Sequence, residues 1–503
     1  MNNILTEIIE KRRADIEKLG PDFGIQLPKK RNRPVHPFLK DRSVILEVKR
    51  ASPSKGDISP NLDSYQTALS YSKSGAGAVS CLTEQNYFKG SLSDLMNVCL
   101  AVDDFESETH SPAPAVLRKD FLLSADEIEI SYRAGADAVL LIARILDTET
   151  FLEMARAVEK FKMSALIEIR GEDDLDKLKF VMGKVNGKKF VCGVNSRNLS
   201  NFKIDLLRPC MMIEKIKSIM GDNAKIIFES GVTKCECAKA VGSLGFSGLL
   251  LGEAAAKNPS IRKSLVESFM GAKLNRNAEF WKNYAKSVDG IPKIKICGIT
   301  RIEDAVLANN LGASFLGFIF SSAFPRSVSH DGRLKKLLPG LKILKTKKVA
   351  VITEMESEES KTAVQLVKDG AFDVLQFHNI PYEKIPDEIL ELPHYFAVKS
   401  MAEYVSLFER GEMRILLDLH CSGGISDKDL DICENNAACC DTSSMWVAGG
   451  INAMNICDVH KKLRCELIDV SSGIENDGEI GIKDEEKMHN LFLLTEGLFR
   501  AKL

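Results

Sequence analysis

Short apolar runs alternate with stretches of helical periodicity along the whole chain. In the first half, runs rich in apolar and β-branched residues occupy eight segments: 43–49, 78–83, 115–119, 138–143, 165–169, 190–195, 225–229 and 248–251. Between them, segments such as 150–160 and 175–181 repeat apolar residues at helical spacing. Strands that are buried on both faces are continuously apolar, as residues 139–142 are. Strands that alternate with helices predict right-handed βαβ units and a parallel sheet.

The second half repeats this pattern from residue 293 onward. Its apolar runs again number eight: 293–297, 315–320, 348–353, 374–378, 395–399, 415–419, 445–448 and 467–470. Two sets of eight βα units predict an α/β protein built from two tandem (β/α)8 TIM barrels. A pair of doubly wound open sheets is the alternative. It is disfavoured because neither half carries G-x-G-x-x-G after a strand.

The segment between the two sets predicts the domain boundary. Residues 1–271 and 293–503 are expected to form the two domains, and 272–292 a short helical linker. That linker holds Trp281 and Tyr284 among polar residues, and Gly-Ile-Pro at 290–292 precedes the next strand. Apolar residues within 4–19 recur at helical spacing, which predicts an amphipathic helix before the first barrel.

Composition narrows the class of protein. With 45% hydrophobic and 27% charged residues, the chain of 503 residues is typical of globular proteins and not of disordered ones. Its 68 Lys and Arg against 70 Asp and Glu give no electrostatic case for a nucleic-acid partner. No apolar run approaches the ~18 residues of a membrane span, and residues 1–19 lack the apolar core of a secretory signal. We therefore expect a cytoplasmic protein without membrane contact.

The cysteines do not predict a metal or a disulfide framework. Thirteen cysteines in a chain of this length are no disulfide scaffold. Cys235 with Cys237, and Cys439 with Cys440, are close pairs, but neither has the spacing of a zinc site. Reduced and mostly buried thiols are the expectation.

Charged and polar residues end most strands of the first set. Catalytic residues of a (β/α)8 barrel lie at the carboxyl ends of its strands, and charges there are costly unless they are paired. Any one of these residues could be a solvated loop residue or part of a salt bridge. Together at one end of a barrel they predict an active site: Glu47, Lys49, Lys119, Glu168, Asn195, Arg197, Glu229 and Glu253.

Five motifs carry a resemblance to a known family. They are E-V-K-R-A-S-P-S-K-G at 47–56, L-R-K-D-F at 117–121, L-I-E-I at 166–169, G-V-N-S-R-N-L at 193–199 and E-S-G at 229–231. In this order, over residues 1–270, they resemble indole-3-glycerol phosphate synthase. That family converts carboxyphenylamino-deoxyribulose phosphate to indole-3-glycerol phosphate with loss of carbon dioxide and water. The amphipathic first helix resembles the family's extra helix, which helps to close the substrate pocket.

The resemblance implies a role for each matching residue. Lys119 is implied as the general acid and Glu168 as the partner acid or base, while Glu47 and Lys49 orient and assist. The remaining matches are implied to bind substrate. Phe121 and Leu140 line the aryl pocket, and Asn195 and Arg197 bind hydroxyl and carboxylate groups. The phosphate is held by Ser52, Ser230, Gly231, Gly252 and the backbone of Glu253, and Glu229 is a substrate-binding residue without an assigned group.

In the second set, Cys297 ends the first strand and Asp418 ends the sixth. Taken alone, the cysteine is better explained as inert packing. A thiolate that faces a carboxylic acid is, however, a plausible base and acid pair for moving a proton between carbon and oxygen.

K-I-C-G-I-T at 295–300, L-L-D at 416–418, A-G-G-I at 448–451 and D-V-S-S-G at 469–473 resemble phosphoribosylanthranilate isomerase. The resemblance covers about 293–503 and implies an Amadori rearrangement, with Asp418 as acid and Cys297 as base. It also implies that Arg326 binds the anthranilate carboxylate, that Gln376 and His378 line the mouth, and that phosphate is held by Gly449, Gly450, Ser471, Ser472 and Gly473.

The two resemblances imply consecutive steps, because the isomerase product is the synthase substrate. The expectation is a bifunctional and monomeric enzyme of tryptophan biosynthesis that acts on small phosphorylated substrates and uses neither cofactor nor metal. The loop at 420–427 departs from the isomerase family, since its usual T-F-D-W-like continuation is missing. This leaves open a synthase-only enzyme with a degenerate second barrel. A non-catalytic binder of phosphorylated metabolites is a further alternative, but it leaves the acid–base pairs without a use.

Overall fold

The computed structural model describes residues 4–39, 41–53, 55–198, 201–288, 291–419 and 441–500. The chain separates into two compact units, Met1–Leu274 and Asn275–Leu503. Each unit contains a closed barrel of eight strands, all paired in parallel. The predicted α/β fold of two tandem (β/α)8 barrels is therefore confirmed. The domain bounds 1–271 and 293–503 stay predictions.

The first barrel follows the predicted order of strands and helices. Its strands are Ser43–Val48, Ala78–Leu82, Ala115–Lys119, Ala138–Ile142, Ser164–Ile169, Phe190–Asn195, Ile226–Glu229 and Gly248–Leu251. Its helices are Ile4–Leu19, Ser64–Lys73, Leu92–Thr109, Asp126–Arg133, Thr148–Lys160, Glu172–Met182, Arg208–Met220, Cys235–Ser243, Glu253–Lys257 and Arg262–Gly271, with 3-10 turns at Ala143–Ile145 and Pro259–Ile261. A small hairpin, Ala51–Ser52 with Gly56–Asp57, follows the first strand.

Alternate residues of each strand fill the interior of this barrel. Apolar side chains form the buried layer, among them Ile45, Leu117, Leu166 and Ile227. The residue two positions further along each of these four strands has the same orientation and is Glu47, Lys119, Glu168 or Glu229. An apolar plug thus lies beneath a charged layer at the carboxyl ends of the strands.

The second barrel has strands Lys293–Cys297, Phe315–Ile319, Lys347–Ile352, Val374–His378, His394–Val398, Ile415–Asp418, Trp446–Ala448 and Leu467–Val470. Its described helices are Arg276–Ala285, Ile302–Asn310, Arg333–Leu341, Glu358–Lys368, Asp387–Leu390, Met401–Arg410, Ile456–Leu463 and Glu485–Arg500, with 3-10 turns at Tyr382–Lys384, Thr442–Ser444 and Ser472–Ile474. Within the described ranges of the chain, we find no helix with the length and apolar character of a membrane span.

The helix Arg276–Ala285 lies within the predicted linker, yet it packs against the second barrel. Trp281 and Tyr284 on this helix are each only 1% exposed. The ring centroid of Trp281 lies 5.7 Å from that of Trp446 on the seventh strand. The Tyr284 hydroxyl donates to Oε1 of Glu466, which precedes the eighth strand, at 2.7 Å. The helix therefore closes the amino-terminal end of this barrel with aromatic side chains.

Candidate active sites

Lys119 lies between two carboxylates in the mouth of the first barrel. Its Nζ is 3.3 Å from Oε2 of Glu47 and 3.2 Å from Oε2 of Glu229. Lys49 donates to the other oxygen of Glu47 at 3.0 Å. Glu168 is held separately by Arg170, whose Nε and Nη2 both lie 2.7 Å from Oε1. The structure thus brings three carboxylates and three cations to one mouth, and the predicted catalytic residues are among them.

The surroundings of the carboxyl groups in this mouth shift their pKa values in opposite directions. Burial opposes ionisation of Glu47, but the ammonium groups of Lys119 and Lys49 outweigh it and lower its pKa to about 2. For Glu229, burial dominates and, with the charge of Glu168 nearby, raises the pKa to about 7 despite the Lys119 ion pair. Burial of Lys119 favours its neutral form, yet Glu47 and Glu229 raise its pKa above the usual range. Glu229 is therefore the group of this mouth that gains and loses a proton near neutrality.

Two glycines make room for the carboxylates. A Cβ at Gly193 would lie 2.0 Å from Oε1 of Glu229, and a Cβ at Gly252 would lie 2.7 Å from Oε1 of Glu47. Because real Cβ atoms do not approach oxygen this closely, both positions require glycine as long as the carboxylates keep these rotamers.

Apolar side chains form one wall beside the charged cluster. Leu140 is buried in the barrel interior, and Phe121 packs against the same apolar cluster. The ring of Phe88 lies 6.1 Å from that of Phe121, and Lys49 Nζ lies 5.5 Å from the centroid of Phe88. A planar aryl group that carries a carboxylate fits a wall of this kind, with a cation at its edge.

The predicted phosphate residues lie on the last loops of the first barrel and on its hairpin. Ser230 and Gly231 have φ of 71° and 84°, which turns the chain sharply after the seventh strand. Gly252 precedes the five-residue helix Glu253–Lys257. The Glu253 carboxylate accepts from Lys257 within that helix at 2.7 Å. This carboxylate therefore pairs with a lysine and does not bind an anion.

Other predicted binding residues are engaged locally. Asn195 Oδ1 accepts the backbone N–H of Arg197 at 2.9 Å, and Arg197 donates to the carbonyl of Phe202 at 3.2 Å. Ser52 lies on the hairpin opposite Gly56 and is buried. Substrate contacts at these three residues stay predictions.

In the second barrel, Cys297 and Asp418 end the strands predicted for them. The Asp418 carboxylate lies 3.8 Å from Nε2 of His378, whose Nδ1 is 3.3 Å from Nε2 of Gln376. The carbonyl of Cys297 accepts from Ser471 Oγ at 3.1 Å. Burial raises the pKa of the Cys297 thiol, and the nearby ammonium of Lys295 only partly offsets this effect.

The guanidinium of Arg326 already has a carboxylate partner. Its Nε and Nη2 bind the two oxygens of Glu475 at 2.7 and 2.8 Å. Lys483 also reaches Glu475, at 3.3 Å, and donates to the carbonyl of Ser471 at 3.0 Å. Such a bidentate pair fixes the plane of the guanidinium. Binding of a substrate carboxylate by Arg326 stays a prediction.

The predicted phosphate loops of this barrel depend on glycine. Gly449 and Gly450 have φ of 111° and 58°, in the left-handed region that favours this residue. A Cβ at Gly473 would lie 2.1 Å from the carbonyl oxygen of Ile451, so the loops after strands seven and eight touch there. The departing loop 420–427 and the cysteine pair at 439 and 440 lie outside the described residues.

Comparison with known proteins shows which family each half of the chain resembles. The model of the indole-3-glycerol phosphate synthase family matches residues 5–267. The chain belongs to this family. The model of the N-(5′-phosphoribosyl)anthranilate isomerase family matches residues 294–493. The protein is thus a fusion of a decarboxylating lyase domain and an isomerase domain, a multifunctional enzyme of tryptophan biosynthesis.

Two relatives span both domains, and a third matches the synthase domain alone. Tryptophan biosynthesis protein TrpCF of Yersinia pestis is 28% identical over 464 residues, which cover 91% of this chain and 86% of that protein. The multifunctional tryptophan biosynthesis protein of Phycomyces blakesleeanus is 26% identical over 96% of this chain and 68% of that protein. Indole-3-glycerol phosphate synthase of Exiguobacterium sibiricum is 35% identical over 54% of this chain and 98% of that protein.

Sequence reasoning missed several residues of the synthase domain. Arg170 stands two positions after Glu168, so the alternation of a strand could have placed the two on one face. Arg12 of the first helix gave no such signal. Its Nη1 lies 2.8 Å from Oδ1 of Asp120, and its Nη2 binds Glu127. Asp120 directly follows Lys119, so this buried arginine ties the first helix to the segment that carries the proposed acid.

Sequence reasoning also missed the groups beneath the isomerase mouth. Lys295 Nζ lies 2.5 Å from Oδ2 of Asp469 and 2.8 Å from Oε1 of Gln376. The hydroxyl of Tyr395 donates to the same oxygen of Gln376 at 2.8 Å. The available signal was the position of Lys295, two residues before Cys297 and therefore on the same face of the strand.

Proposed function

We propose that the second barrel isomerises N-(5-phosphoribosyl)anthranilate to 1-(2-carboxyphenylamino)-1-deoxyribulose 5-phosphate. The first barrel then converts this product to indole-3-glycerol phosphate. The observation that carries the proposal is the position of Lys119 between Glu47 and Glu229, beside an apolar wall and above a buried apolar plug. A protonated amine held in that place suits an acid that acts on a carbonyl oxygen.

In the synthase reaction, an aryl carbon attacks the ketone carbon and Lys119 protonates the oxygen that becomes a hydroxyl. The aryl carboxylate leaves as carbon dioxide. The hydroxyl then departs as water, and Glu168 acts as the partner acid or base in this dehydration. Glu229 exchanges protons near neutral pH and adjoins Lys119, so we assign to it the return of the proton to that amine.

In the isomerase reaction, Asp418 protonates the furanose ring oxygen and the ring opens to a Schiff base. Cys297 as thiolate removes the proton at C2′ to give an enolamine, which tautomerises to the ketone. One proton arrives at oxygen and one leaves carbon, so the substrate keeps its composition. Arg326 receives the anthranilate carboxylate while Glu475 holds its plane.

A coupled assay that starts from phosphoribosylanthranilate and follows both products tests this assignment. Lys119→Ala is expected to lower synthase turnover by ~10²–10⁴-fold, as loss of general acid catalysis does, and to spare the isomerase. Cys297→Ser is expected to do the reverse, because a serine hydroxyl is a far weaker base. If the unaltered protein converts the intermediate but not phosphoribosylanthranilate, the synthase-only alternative replaces this proposal.

Three narrower features are proposed along with these reactions. By the resemblance, neither reaction uses a metal or cofactor, so extensive treatment with a chelator is expected to leave both turnovers unchanged. A monomeric state and a cytoplasmic location are also proposed. Sedimentation of the intact chain at a mass of 55.6 kDa tests the first of these.

A further inference from the structure

We propose that Lys295 is a positioning residue of the isomerase, which holds its ammonium beside Cys297 and thereby stabilises the thiolate that acts as the base. This inference rests on the base role proposed for Cys297. It adds a group that activates the sulfur, since a buried thiol by itself is a poor base.

The two side chains share one space inside the barrel. Lys295 and Cys297 are two positions apart on the first strand, so both face the interior. On the neighbouring strand, Gly317 pairs with Cys297 in register. A Cβ at Gly317 would lie 2.6 Å from Sγ of Cys297 and 3.1 Å from Cε of Lys295. The missing side chain of this glycine therefore leaves the room in which the sulfur and the end of the lysine lie side by side.

Hydrogen bonds hold the ammonium of Lys295 in place. Lys295 is fully buried, and its Nζ has two oxygen partners, Asp469 at 2.5 Å and Gln376 at 2.8 Å. An ammonium carries three donors, so these two acceptors leave one for the sulfur. Gln376 is itself held by the hydroxyl of Tyr395. The cation thus has a defined position and little freedom to turn away.

Four charged side chains surround the sulfur of Cys297. Lys295 lies on its own strand, and Asp469 on the eighth strand opposes the thiolate. Lys483 favours the thiolate from the loop after that strand, and Arg326 adds positive charge beside Gly298. Lys295 is the largest favourable contribution, and it counteracts the rise in the thiol pKa that burial causes. An opposite charge at this range moves a pKa by ~1–3 units.

A purely structural role for the lysine predicts a different result. If Lys295 only compensates the buried Asp469, its removal lowers the stability of the isomerase domain but leaves the ionisation of Cys297 in place. Ionisation of the thiol therefore separates the two explanations, and stability does not.

The test uses the full-length protein and the variant Lys295→Met. We expect the rising limb of isomerase kcat/KM against pH to move ~1–3 units toward alkaline pH, with a ~10–10³-fold loss at neutral pH. Synthase kinetics are expected to stay unchanged. The matched control is Lys293→Met on the same strand, since Lys293 binds the carbonyl of Ser287 at 2.6 Å. An unshifted limb in folded Lys295→Met refutes the inference.

A second variant covers the case in which Lys295→Met does not fold because it leaves a carboxylate buried without its counter-charge. Asp469→Asn removes the opposing charge and keeps the shape. The double variant Lys295→Met/Asp469→Asn also removes the lysine and leaves no buried carboxylate without its counter-charge. Relative to Asp469→Asn alone, we expect its Cys297 thiol to react with iodoacetamide only at higher pH, followed as loss of isomerase activity. An unchanged or lower pH of half-reaction overturns the inference.

Cys297→Ser separates this inference from the proposed function. If Cys297→Ser keeps isomerase activity, the base role itself is wrong and the inference falls with it. If Cys297→Ser is inactive while Lys295→Met keeps the profile of the unaltered protein, only the role of Lys295 is refuted.

Discussion

Removal of the helix Arg276–Ala285 tests whether the second barrel depends on chain that precedes its first strand. We compare a fragment of residues 275–503, which keeps the helix, with one of residues 293–503, which lacks it. A point variant, Trp281→Ala, makes the same test in the intact protein. Phe280→Ala is its matched control, because this neighbouring ring is only partly buried.

The expected loss follows from the buried aromatic area. A buried aromatic side chain covers ~150–250 Å², worth ~4–6 kcal/mol at ~25 cal/mol per Å². Trp281 and Tyr284 together therefore supply ~8–12 kcal/mol, an upper bound because the unfolded chain already hides part of this area. A whole domain is stable by only ~5–15 kcal/mol. The shorter fragment is thus expected to be largely unfolded, and Trp281→Ala alone to lose ~3–5 kcal/mol.

Tryptophan fluorescence during urea unfolding is the assay. The chain has two tryptophans, and both lie in this cluster at a centroid distance of 5.7 Å. The signal of the intact protein therefore reports the second unit alone. In Trp281→Ala the remaining Trp446 still reports, from its place 4.9 Å from Tyr395.

Two results would contradict this reasoning. One is a fragment 293–503 that unfolds cooperatively at the same urea concentration as 275–503 and keeps isomerase activity. The other is a Trp281→Ala variant no less stable than Phe280→Ala. Either result would show that the helix only connects the two domains and does not stabilise the second barrel, as its polar sequence predicted.

Three further predictions concern the synthase. Arg12→Gln leaves the buried Asp120 short of a counter-charge and is expected to cost ~3–5 kcal/mol of synthase-unit stability by circular dichroism, unlike exposed Arg13→Gln. Gly193→Ala is expected to displace Glu229 and so to lower synthase kcat, while isomerase kcat stays unchanged. A synthase kcat equal to that of the unaltered protein would show that the added methyl group does not displace Glu229. With a pKa raised from 4.5 to about 7, Glu229 holds a proton in the folded state that the unfolded chain releases. Stability should therefore fall as pH rises across that window, and Glu229→Gln should flatten the slope of urea midpoint against pH.

The strands could be predicted from sequence because buried parallel strands leave a continuous apolar signal. All sixteen barrel strands begin and end within one residue of the predicted runs. The two mouths could be predicted from polar residues at strand ends, because the carboxyl ends of parallel strands in a barrel lie together. Lys119 and Glu229 were both named, although their 3.2 Å contact joins residues 110 positions apart and was not predictable from spacing.

The remaining features depend on tertiary contacts that leave a weak local signal. Trp281 and Tyr284 occupy one side of a short polar helix, which resembles a linker until the barrel end that they cover is known. Arg12 looks like any charged residue of an amphipathic helix, although it is only 3% exposed. The resemblance implied a carboxylate ligand for Arg326, but the carboxylate that orients this side chain, Glu475, became visible only in the folded chain.

The synthase mouth is electrically balanced before any substrate arrives, with Glu47, Glu168 and Glu229 against Lys49, Lys119 and Arg170. A ligand that brings a carboxylate and a phosphate upsets this balance in a buried space where uncompensated charge is costly. Glu229, poised at a pKa of about 7, is the member of the set that can become neutral in response. Ligand association is therefore thermodynamically linked to proton uptake. In titration calorimetry, the apparent enthalpy should change with the ionisation heat of the buffer. The proton taken up also matches the overall reaction, which consumes one proton in each turnover because a carboxylate leaves as neutral carbon dioxide.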